Sequence, residues 1–292
     1  MKTIVGIMLN WNRAELTFQA AMSLQHQLPD NAPLIIVDNG SDEQEFVLLQ
    51  SLFRDISNIQ IFRLTENKGP GPGINFGLEM AIQLDTDLIL MMHNDTFLTD
   101  GSLEQLVLSM EEDRTIGATG ALQVYWERSQ EVYFAGGRFL KPGFIPRHLG
   151  RGRALDTYGA SPNYHVDWLE FTCVIFRAET VRSIGLPRAN FEFYWEDAEW
   201  CIRAKRNGWN LKLCPKAVVK HMIGATLGTG FGSSYYSNMV YNHRRTIQLH
   251  GNLIDQYFAT LYWLTKALRL LVLSDFESSR AIFKAIKVSS LK

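Results

Sequence analysis

The first half of the chain alternates short apolar segments with longer segments of helical periodicity, and this order limits the possible fold. The apolar segments, which we expect to be strands, are Thr3–Leu9, Leu34–Val37, Ile59–Leu64 and Leu88–His93. The helical patterns between them are at about Ala14–Gln27, Glu43–Phe53 and Gly73–Leu84. Each is long enough to connect two parallel strands by a right-handed crossover. We therefore predict an α/β fold with a mostly parallel central sheet flanked by helices.

Composition limits the function classes. The chain has 292 residues and 46% hydrophobic content, which suffices for one large α/β domain or a domain with an appendage. Its formal net charge of -1 lacks the excess of Lys and Arg that marks nucleic-acid binding, so we expect no nucleic-acid partner. Cys173, Cys201 and Cys214 have no CxxC spacing, which fits a reducing cytoplasm better than a disulfide framework. The N-terminal apolar run is short and lacks a small-residue cleavage site, so we interpret it as a strand.

Polar and glycine-rich segments follow the predicted strands. Ligands of a parallel α/β sheet bind beyond the carboxyl ends of the strands. The candidate segments are Asn10–Arg13, Asp38–Ser41, Glu66–Gly77 and His93–Thr96. Glycines in the third segment allow the backbone to approach a phosphate or sugar closely. A Rossmann oxidoreductase carries its glycine fingerprint after the first strand, whereas these glycines follow the third, and this argues against a nicotinamide cofactor.

Two acids and one histidine stand at strand ends. Asp38 can accept hydrogen bonds from a base or a ribose, although Asp-Asn-Gly is also a good turn sequence. Asp95 can bind a hard divalent cation together with substrate phosphates. The alternative, that Asp95 caps the next helix, is weakened by Asp100 and Ser102, which are better placed to do so. His221 suits manganese or zinc as a neutral imidazole, but a lone histidine is more often structural.

The stretch Phe191–His221 contains two adjacent acids, Glu196 and Asp197, at the start of an otherwise cationic helix. We predict this helix from about Glu196 to Asn207, ending at Gly208, because glycine adopts the left-handed conformation at least cost. The acids suit the positive end of the helix dipole, which is the alternative to a catalytic role.

Aromatic side chains surround the acid pair: Phe193, Tyr194, Trp195 and Trp200. Desolvation by these rings would raise the pKa of a carboxylate. Trp195 and Trp200 are our candidates for stacking on a bound sugar, and core packing is the alternative.

Several spaced motifs follow one another along the chain. They are Leu9-Asn10-Trp11-Asn12-Arg13, Val37-Asp38-Asn39-Gly40-Ser41, Glu66-Asn67-Lys68-Gly69, Gly73-Ile74-Asn75-Phe76-Gly77, Asn94-Asp95-Thr96, Trp195-Glu196-Asp197-Ala198-Glu199, and His221 with Gly224-Ala225-Thr226. In this order they resemble family 2 glycosyltransferases of the GT-A fold, and within that family the rhamnosyltransferase and galactofuranosyltransferase branches. The resemblance covers roughly Lys2 to Arg245, and a series of motifs in order is more specific than any one of them.

The resemblance implies roles for single residues. Asp38 would contact the nucleobase or ribose of a sugar nucleotide, and Asp95 with His221 would hold the divalent metal, Mn²⁺ or Mg²⁺, that bridges the diphosphate. Asp197 would be the general base toward the acceptor hydroxyl, with Glu196 beside it. A single base on the face opposite the leaving diphosphate would imply direct displacement with inversion at the anomeric carbon. Further implied contacts to the donor are Asn12, Arg13, Asn67, Lys68, Gly69, Asn75, Asn94 and Arg244. This chain departs from the family's usual Asp-x-Asp metal motif, because His93-Asn94-Asp95 keeps only the last acid.

Between residues 126 and 165 the sequence loses periodicity and becomes rich in Gly, Arg and Pro. We predict a long excursion over the active-site face, in which Arg147, Arg151 and Arg153 either meet an anionic acceptor such as a lipid-linked diphosphate or are simply solvated. Val166–Phe176 reads as another strand.

The C-terminal part begins with a Gly-rich segment at residues 223–234 that we expect to close over the donor. Asp255–Leu273 is strongly apolar but carries Lys266 and Arg269, so we expect it to lie on a membrane surface or to pack against a second subunit and not to span a bilayer. We divide the chain into a glycosyltransferase domain at residues 1–235, with a nucleotide-sugar half at about 1–98 and a catalytic half at about 99–235, and a C-terminal helical extension at 236–292.

Taken together, the sequence predicts a cytoplasmic, inverting glycosyltransferase, either free or peripheral on the inner face of the plasma membrane, and a possible homo-oligomer. Its donor would be a dTDP- or UDP-sugar carrying rhamnose or another hexose, and its acceptor a glycan or lipid-linked glycan of a bacterial surface polysaccharide. Two alternatives remain, a nucleotidyltransferase and a catalytically silent carbohydrate-binding relative. The sequence does not name the donor sugar or the acceptor.

Overall fold

The computed structural model describes residues 2–159, 161–191, 193–223 and 232–289. The strands are β1 Ile4–Asn10, β2 Leu34–Asp38, β3 Ile59–Arg63, β4 Leu88–His93, β5 Thr96–Leu98, β6 Ile116–Tyr125, β7 Val132–Phe134, β8 Gly137–Leu140, β9 Ile145–His148, β10 Tyr164–His165, β11 Cys173–Arg177 and β12 Asn210–His221. The helices are α1 Ala14–Gln25, α2 Glu43–Phe53, α3 Pro70–Gln83, α4 Ser102–Glu111, α5 Ala178–Ile184, α6 Glu196–Arg206, α7 Ser233–His250, α8 Leu253–Val272 and α9 Phe276–Ser289.

The central sheet is mixed, with its neighbouring strands in the order β10-β12-β6-β11-β4-β1-β2-β3. β3, β2, β1 and β4 pair in parallel, as predicted. β11 runs antiparallel between β4 and β6, and β6 pairs in parallel with β12. The predicted α/β class with a sheet flanked by helices is therefore confirmed.

Helices cover both faces of this sheet. One buried cluster joins the sheet to α1, α2 and α4, and the other joins it to α3, α5 and α6. The approach of α3 to β1 is close at Gly77, where an added Cβ would lie 2.5 Å from Cγ2 of Ile7. α3 begins at Pro70, three residues before the predicted start, because a proline in the first turn lacks an N–H that would need a partner.

The prediction of a strand over Val166–Phe176 is wrong for its first part. Only Cys173–Arg177 is a strand, although Val166, Trp168 and Phe171 are buried. These apolar residues made the segment look like one strand, but they pack into the core from irregular backbone. The excursion between residues 126 and 165 contains β7 and the hairpin of β8 and β9.

The C-terminal helices pack on one another around buried side chains that include Tyr236, Trp263 and Ile282. Asn252 caps α8, since it accepts from the backbone N–H of Asp255 while the Asp255 carboxylate accepts from the N–H of Asn252. The predicted domain boundary at residue 235 falls in the first turn of α7. The predicted Gly-rich segment lies largely at 224–231, outside the described residues. Within the described part of the chain, no helix is both long and apolar enough to cross a membrane.

Candidate active site

The candidate metal residues come together through strand pairing. β5 follows β4 after a short turn and runs antiparallel to the end of β12, with Thr96 opposite His221. The backbone N–H of Met222 donates to the carbonyl of Asp95 over 2.8 Å. Backbone register thus places two residues that are far apart in sequence at one strand end.

His93, Asp95 and His221 form a cluster whose potential ligand atoms all lie within 4.8 Å of one another. Nε2 of His221 is 3.4 Å from Oδ1 of Asp95, and this oxygen is buried without a hydrogen-bond partner among the described residues. Burial lowers the pKa of His93 against the pull of the Asp95 charge, so its imidazole is neutral and able to bind a metal. Burial alone would raise the pKa of Asp95, but the neighbouring imidazoles of His221 and His93 bring it below its usual value.

These residues suit a divalent cation of borderline character. Two imidazoles and one carboxylate are donors that Mn²⁺ accepts readily, whereas Mg²⁺ prefers oxygen ligands. The sequence reading gave Asp95 and His221 as ligands and missed His93. The available signal was its position, because His93 stands where the Asp-x-Asp motif has its first acid.

Gln123 orients one of the candidate ligands. Its Oε1 lies 3.2 Å from Nδ1 of His221, and the side chain is 1% exposed. Because an amide oxygen only accepts, Nδ1 carries the proton of this bond, and a neutral His221 would leave the lone pair of Nε2 for a metal. A partner of this kind fixes the tautomer and the ring orientation of a metal ligand.

The acid pair stands on a strained turn at the start of α6. Tyr194 and Trp195 both have positive φ, +67° and +73°, which is costly for aromatic residues. The side-chain amide of Asn242, on α7, donates to the carbonyls of Phe193 at 2.8 Å and Tyr194 at 3.0 Å. The C-terminal helices thus hold the turn that presents the acids.

Both acids have raised pKa values. Burial raises the pKa of Glu196, and the charge of Asp197 raises it further. Burial also raises the pKa of Asp197, against the hydrogen bond of 2.6 Å that its Oδ1 accepts from the N–H of Ala198. Oε2 of Glu196 is buried and makes no hydrogen bond within the described part of the chain. The pair therefore holds one negative charge over a range of pH in which two free carboxyls would hold two.

The cation cluster and the acid pair line one cleft of about 670 Å³. The predicted site residues that line it are Asn67, Asn94, Asp95, Trp195, Glu196, Asp197 and His221. Trp195 is only 3% exposed, because its ring stacks between His243 at 4.5 Å and Phe139 at 6.0 Å between centroids. Two stacked rings thus leave little of Trp195 exposed to an acceptor.

Asp38 lies beneath this cleft and is fully buried. Its carboxylate accepts from Nδ2 of Asn10 at 2.8 Å and from the hydroxyl and backbone N–H of Ser41. The network continues from Asn10 through Thr17 to Asn94. In this structure Asp38 ties the ends of β1, β2 and β4 together, and the neighbouring Asn10 and Asn39 face the cleft instead.

Five other predicted donor residues lie beside the cleft and not in its lining. Asn12 and Arg13 precede α1, and Oδ1 of Asn12 accepts from the backbone N–H of Asp42. The remaining three are Lys68, Gly69 and Asn75. Lys68 pairs with Glu66, the N–H of Gly69 donates to the side chain of Asn67, and the side-chain amide of Asn75 donates to the carbonyl of Pro187.

Two predicted site residues are placed away from the cleft, and these predictions are corrected. Trp200 is fully buried against Phe171 and Phe176, so it cannot contact an acceptor. Arg244 lies between α7 and α8, where its guanidinium donates to Thr260. Arg244 follows Met239, which does line the cleft, by five residues, or roughly 140° around the helix.

The sequence reading missed part of the cleft lining. The excursion and the segment after it contribute Tyr133, His148, Trp168 and Glu170, and α8 contributes Tyr262, Trp263 and Lys266. Arg151, for which the sequence left open an anionic acceptor or simple solvation, also lines the cleft. Tyr133 and His148 lie where the sequence has no periodic pattern, and Trp168 and Glu170 lie in the segment predicted as a strand. No signal in the sequence therefore placed these four residues at the site.

Comparison with known proteins agrees with this geometry. A model of the family "Glycosyl transferase family 2" matches residues 7–162, more than half of the chain, and the chain belongs to this family. It is 26% identical over 120 residues to an uncharacterized glycosyltransferase of Haemophilus influenzae, covering 41% of this chain and 47% of that protein. It is 24% identical over 226 residues to galactofuranosyltransferase GlfT1 of Mycolicibacterium smegmatis, covering 76% and 72% of the two.

Two solved structures have the same fold. GalNAc-T7 with UDP, GalNAc and Mn²⁺ gives a TM-score of 0.70 at 15% identity, covering 91% of this chain and 51% of that one. The mannosyltransferase PcManGT of Pyrobaculum calidifontis with GDP-Man and Mn²⁺ gives 0.62 at 12% identity, covering 99% and 75%. The chain thus spans about half the length of the Haemophilus relative and of GalNAc-T7. The fold is that of the GT-A glycosyltransferases.

Proposed function

We propose that this family 2 glycosyltransferase moves a hexose from a nucleoside diphosphate sugar to a hydroxyl of a glycan, with inversion at the anomeric carbon. The observation that carries the proposal is the meeting of two groups in one cleft, the cluster of His93, Asp95 and His221 and the acid pair Glu196–Asp197. Transfer from a nucleotide sugar requires stabilisation of a leaving diphosphate and a base for the incoming hydroxyl. The two groups supply these two requirements.

The cluster would hold the divalent metal. When bound, Mn²⁺ would offset the negative charge that develops on the departing diphosphate. A metal binds imidazole only in its neutral form, so the three side chains of the occupied site would carry a single negative charge, from Asp95. The occupied site would therefore keep a net positive charge toward the diphosphate, and two imidazole donors favour Mn²⁺ over Mg²⁺.

Asp197 would act as the base. Its raised pKa makes it a stronger proton acceptor than an ordinary aspartate at neutral pH. The acceptor oxygen would attack the anomeric carbon as its proton passes to Asp197, while the bond to the diphosphate breaks on the opposite face. Glu196 would remain protonated beside it, because a second negative charge in the buried pair is unfavourable.

For the donor we propose a UDP- or dTDP-hexose, of the rhamnose kind or another hexose. GalNAc-T7 is described with UDP and PcManGT with GDP-Man, and the named curated relative is a galactofuranosyltransferase. The silent-relative alternative was motivated by the altered metal motif. Since His93 completes a three-residue cluster, that motivation no longer stands.

The activity is tested by release of nucleoside diphosphate from UDP-, dTDP- and GDP-hexoses, with Mn²⁺, with Mg²⁺ and after chelation. We expect slow Mn²⁺-dependent hydrolysis of one nucleotide class, lost in Asp197→Asn. The matched control is Asp156→Asn. Asp156 lies in the short 3-10 helix Leu155–Tyr158 and does not line the cleft. No release and no thermal stabilisation by any nucleotide would overturn the proposal.

We propose a lipid-linked glycan as acceptor, on the basis of the outer faces of α8 and α9. Leu253, Tyr257 and Val272 of α8 are 80%, 66% and 85% exposed, and Phe276 of α9 is 64% exposed. Exposed basic side chains on the same two helices are Arg269, Arg280, Lys284 and Lys287. An apolar face bordered by basic side chains fits an anionic membrane surface.

The same helix α8 reaches the cleft with its other face, through Tyr262, Trp263 and Lys266. A protein resting on a membrane by the outer face of α8 would hold the cleft near a lipid-linked sugar. This arrangement supports a peripheral position on the inner face of the plasma membrane. We propose that the outer faces of α8 and α9 contact lipid and not a second subunit.

Sedimentation with vesicles of phosphatidylcholine containing phosphatidylglycerol tests this assignment. We expect the wild type to sediment with these vesicles, and Val272→Asp to remain in the supernatant. Val47→Asp on α2, at a valine that is 53% exposed, is the matched control. A wild type that never sediments would overturn the membrane assignment. A dimer in solution that Val272→Asp dissociates would assign the surface to self-association.

A further inference from the structure

Glu170 is an acid of the cleft to which the catalytic scheme gives no part. It lies just before β11 and lines the cleft with a side chain that is 16% exposed. Burial, followed by the charge of Asp197, raises the pKa of Glu170 to about 7, and His221 opposes this rise. A buried acid that the fold keeps in a cleft at this cost needs an explanation.

The surroundings of Glu170 are polar but do not neutralise it. Its Oε1 is 3.7 Å from Nδ1 of His148, beyond a good hydrogen bond. His148 is itself held neutral, because burial and the charge of Arg151 lower its pKa to about 3. Nη2 of Arg151 lies 3.2 Å from the same nitrogen of His148, and the charge of Arg151 opposes the rise of the Glu170 pKa. The side chain of Gln123 makes one hydrogen bond to Glu170. A carboxylate has about four acceptor positions, so Glu170 retains capacity to accept further hydrogen bonds from a ligand.

The position of Glu170 specifies which ligand. The backbone of the next residue, Phe171, hydrogen-bonds Asp197, and Gln123 contacts both Glu170 and Nδ1 of His221. If the cation cluster binds the diphosphate and Asp197 the acceptor hydroxyl, the sugar in transit lies between the two. A carboxylate close to both is therefore close to that sugar, whose ring presents hydroxyl donors.

We infer that Glu170 is a specificity residue that accepts a hydrogen bond from a hydroxyl of the transferred sugar, an inference that rests on the proposed function. A hydroxyl-to-carboxylate bond is charge-assisted, and a site built to accept it discriminates against a sugar that lacks the hydroxyl. Glu170 therefore contributes to binding of the hexose and not to binding of the nucleotide.

The test compares two dissociation constants, measured by calorimetry with Mn²⁺ present. One is for the free diphosphate among UDP, dTDP and GDP that stabilises the wild type, and the other is for its hexose conjugates. We expect Glu170→Gln to bind the diphosphate like the wild type and the best conjugate about 10-fold to 100-fold more weakly. Glu170→Asp should recover part of this loss. Glu179→Gln, which removes an exposed acid of α5, is the matched control.

Other results overturn the inference. Two constants that both equal those of the wild type in Glu170→Gln mean that the sugar does not contact Glu170. Equal weakening of both ligands assigns Glu170 to the metal and nucleotide site. A change confined to the KM of the acceptor moves the contact to the acceptor. A wild type that binds none of the diphosphates fails at the proposed function itself, which distinguishes that failure from the other three.

Discussion

The cation cluster and the acid pair share one cleft, but the chain builds them in different ways. The cluster is assembled by backbone register, since β5 pairs with β12 and sets Thr96 opposite His221. The acid pair is adjacent in sequence and needs no long-range pairing to meet. It depends instead on a strained turn at Tyr194 and Trp195, which Asn242 holds from another helix.

This difference separates what each site requires. A register-built site is as rigid as its sheet, and it should tolerate loss of contacts from the C-terminal helices. A site on a strained turn stores conformational energy and depends on the groups that hold it. The metal site should therefore survive changes in α7 that weaken catalysis, and each variant below affects one region while the other is measured.

The largest effect is expected for Asp197→Asn. Loss of the base should lower kcat by about 100-fold to 10,000-fold, while Mn²⁺ and nucleotide affinity stay unchanged. The melting temperature should not fall, because burial already disfavours the charged form of Asp197 and Asn keeps an oxygen for the N–H of Ala198. Kinetics with calorimetry check this, and a parallel loss of Mn²⁺ binding would contradict independence of the two regions.

His93→Ala is expected to have the next largest effect. Removing a ligand should lower Mn²⁺ affinity by more than the roughly 10-fold to 100-fold typical of an outer-sphere partner. His93→Asp restores an Asp-x-Asp motif and should shift the preference from Mn²⁺ toward Mg²⁺. Titration of Mn²⁺ by paramagnetic resonance measures both. An unchanged Mn²⁺ affinity in His93→Ala would remove His93 from the cluster.

The sequence predicted the residues at strand ends better than those on irregular segments. Strand ends were found because apolar runs followed by polar residues mark the edge of a parallel sheet, and Asp95 and His221 were identified in this way. His148 was missed because the excursion that carries it has no periodicity, and Glu170 was missed because its segment, Val166–Phe176, was interpreted as a strand. His93 was passed over because the usual motif has an acid at that position.

Two errors have a geometric cause. Trp200 and Arg244 sit on helices whose neighbouring turns do face the cleft, α6 and α7. A sequence shows which residues share a helix face, but it does not show which face meets the site when most faces are partly apolar. Trp200 faces the core and Arg244 faces α8.

Asn242→Ala tests the strained turn directly. Losing two hydrogen bonds to partly buried carbonyls should lower the free energy of unfolding by about 1–3 kcal/mol. The turn should also relax, so we expect kcat to fall while Mn²⁺ affinity holds. Asn207→Ala, which removes one exposed bond to the carbonyl of Arg203, is the control. Equal kcat in the two variants would show that the strained turn needs no support from α7.

The smallest effect concerns pH. Asp197 must be ionised to act as the base, and its pKa is raised, so activity should fall on acidification at a pH above the ordinary Asp value of about 3.9. Glu196→Gln should leave this acid limb nearly in place, because Glu196 is already protonated there. Rate profiles at saturating Mn²⁺ measure the limb, with Mn²⁺ binding followed in parallel. A wild-type profile whose acid limb lies at the ordinary Asp value would contradict the raised pKa of Asp197.

The central claim is that one base and one metal-bound diphosphate act on opposite faces of the transferred sugar. The most direct test is proton NMR of the first-formed glycoside, made from the sugar nucleotide that the protein hydrolyses with Mn²⁺. The account predicts an anomeric configuration opposite to that of the donor. A product with the donor's configuration would contradict it, since retention cannot arise from a single displacement assisted by Asp197.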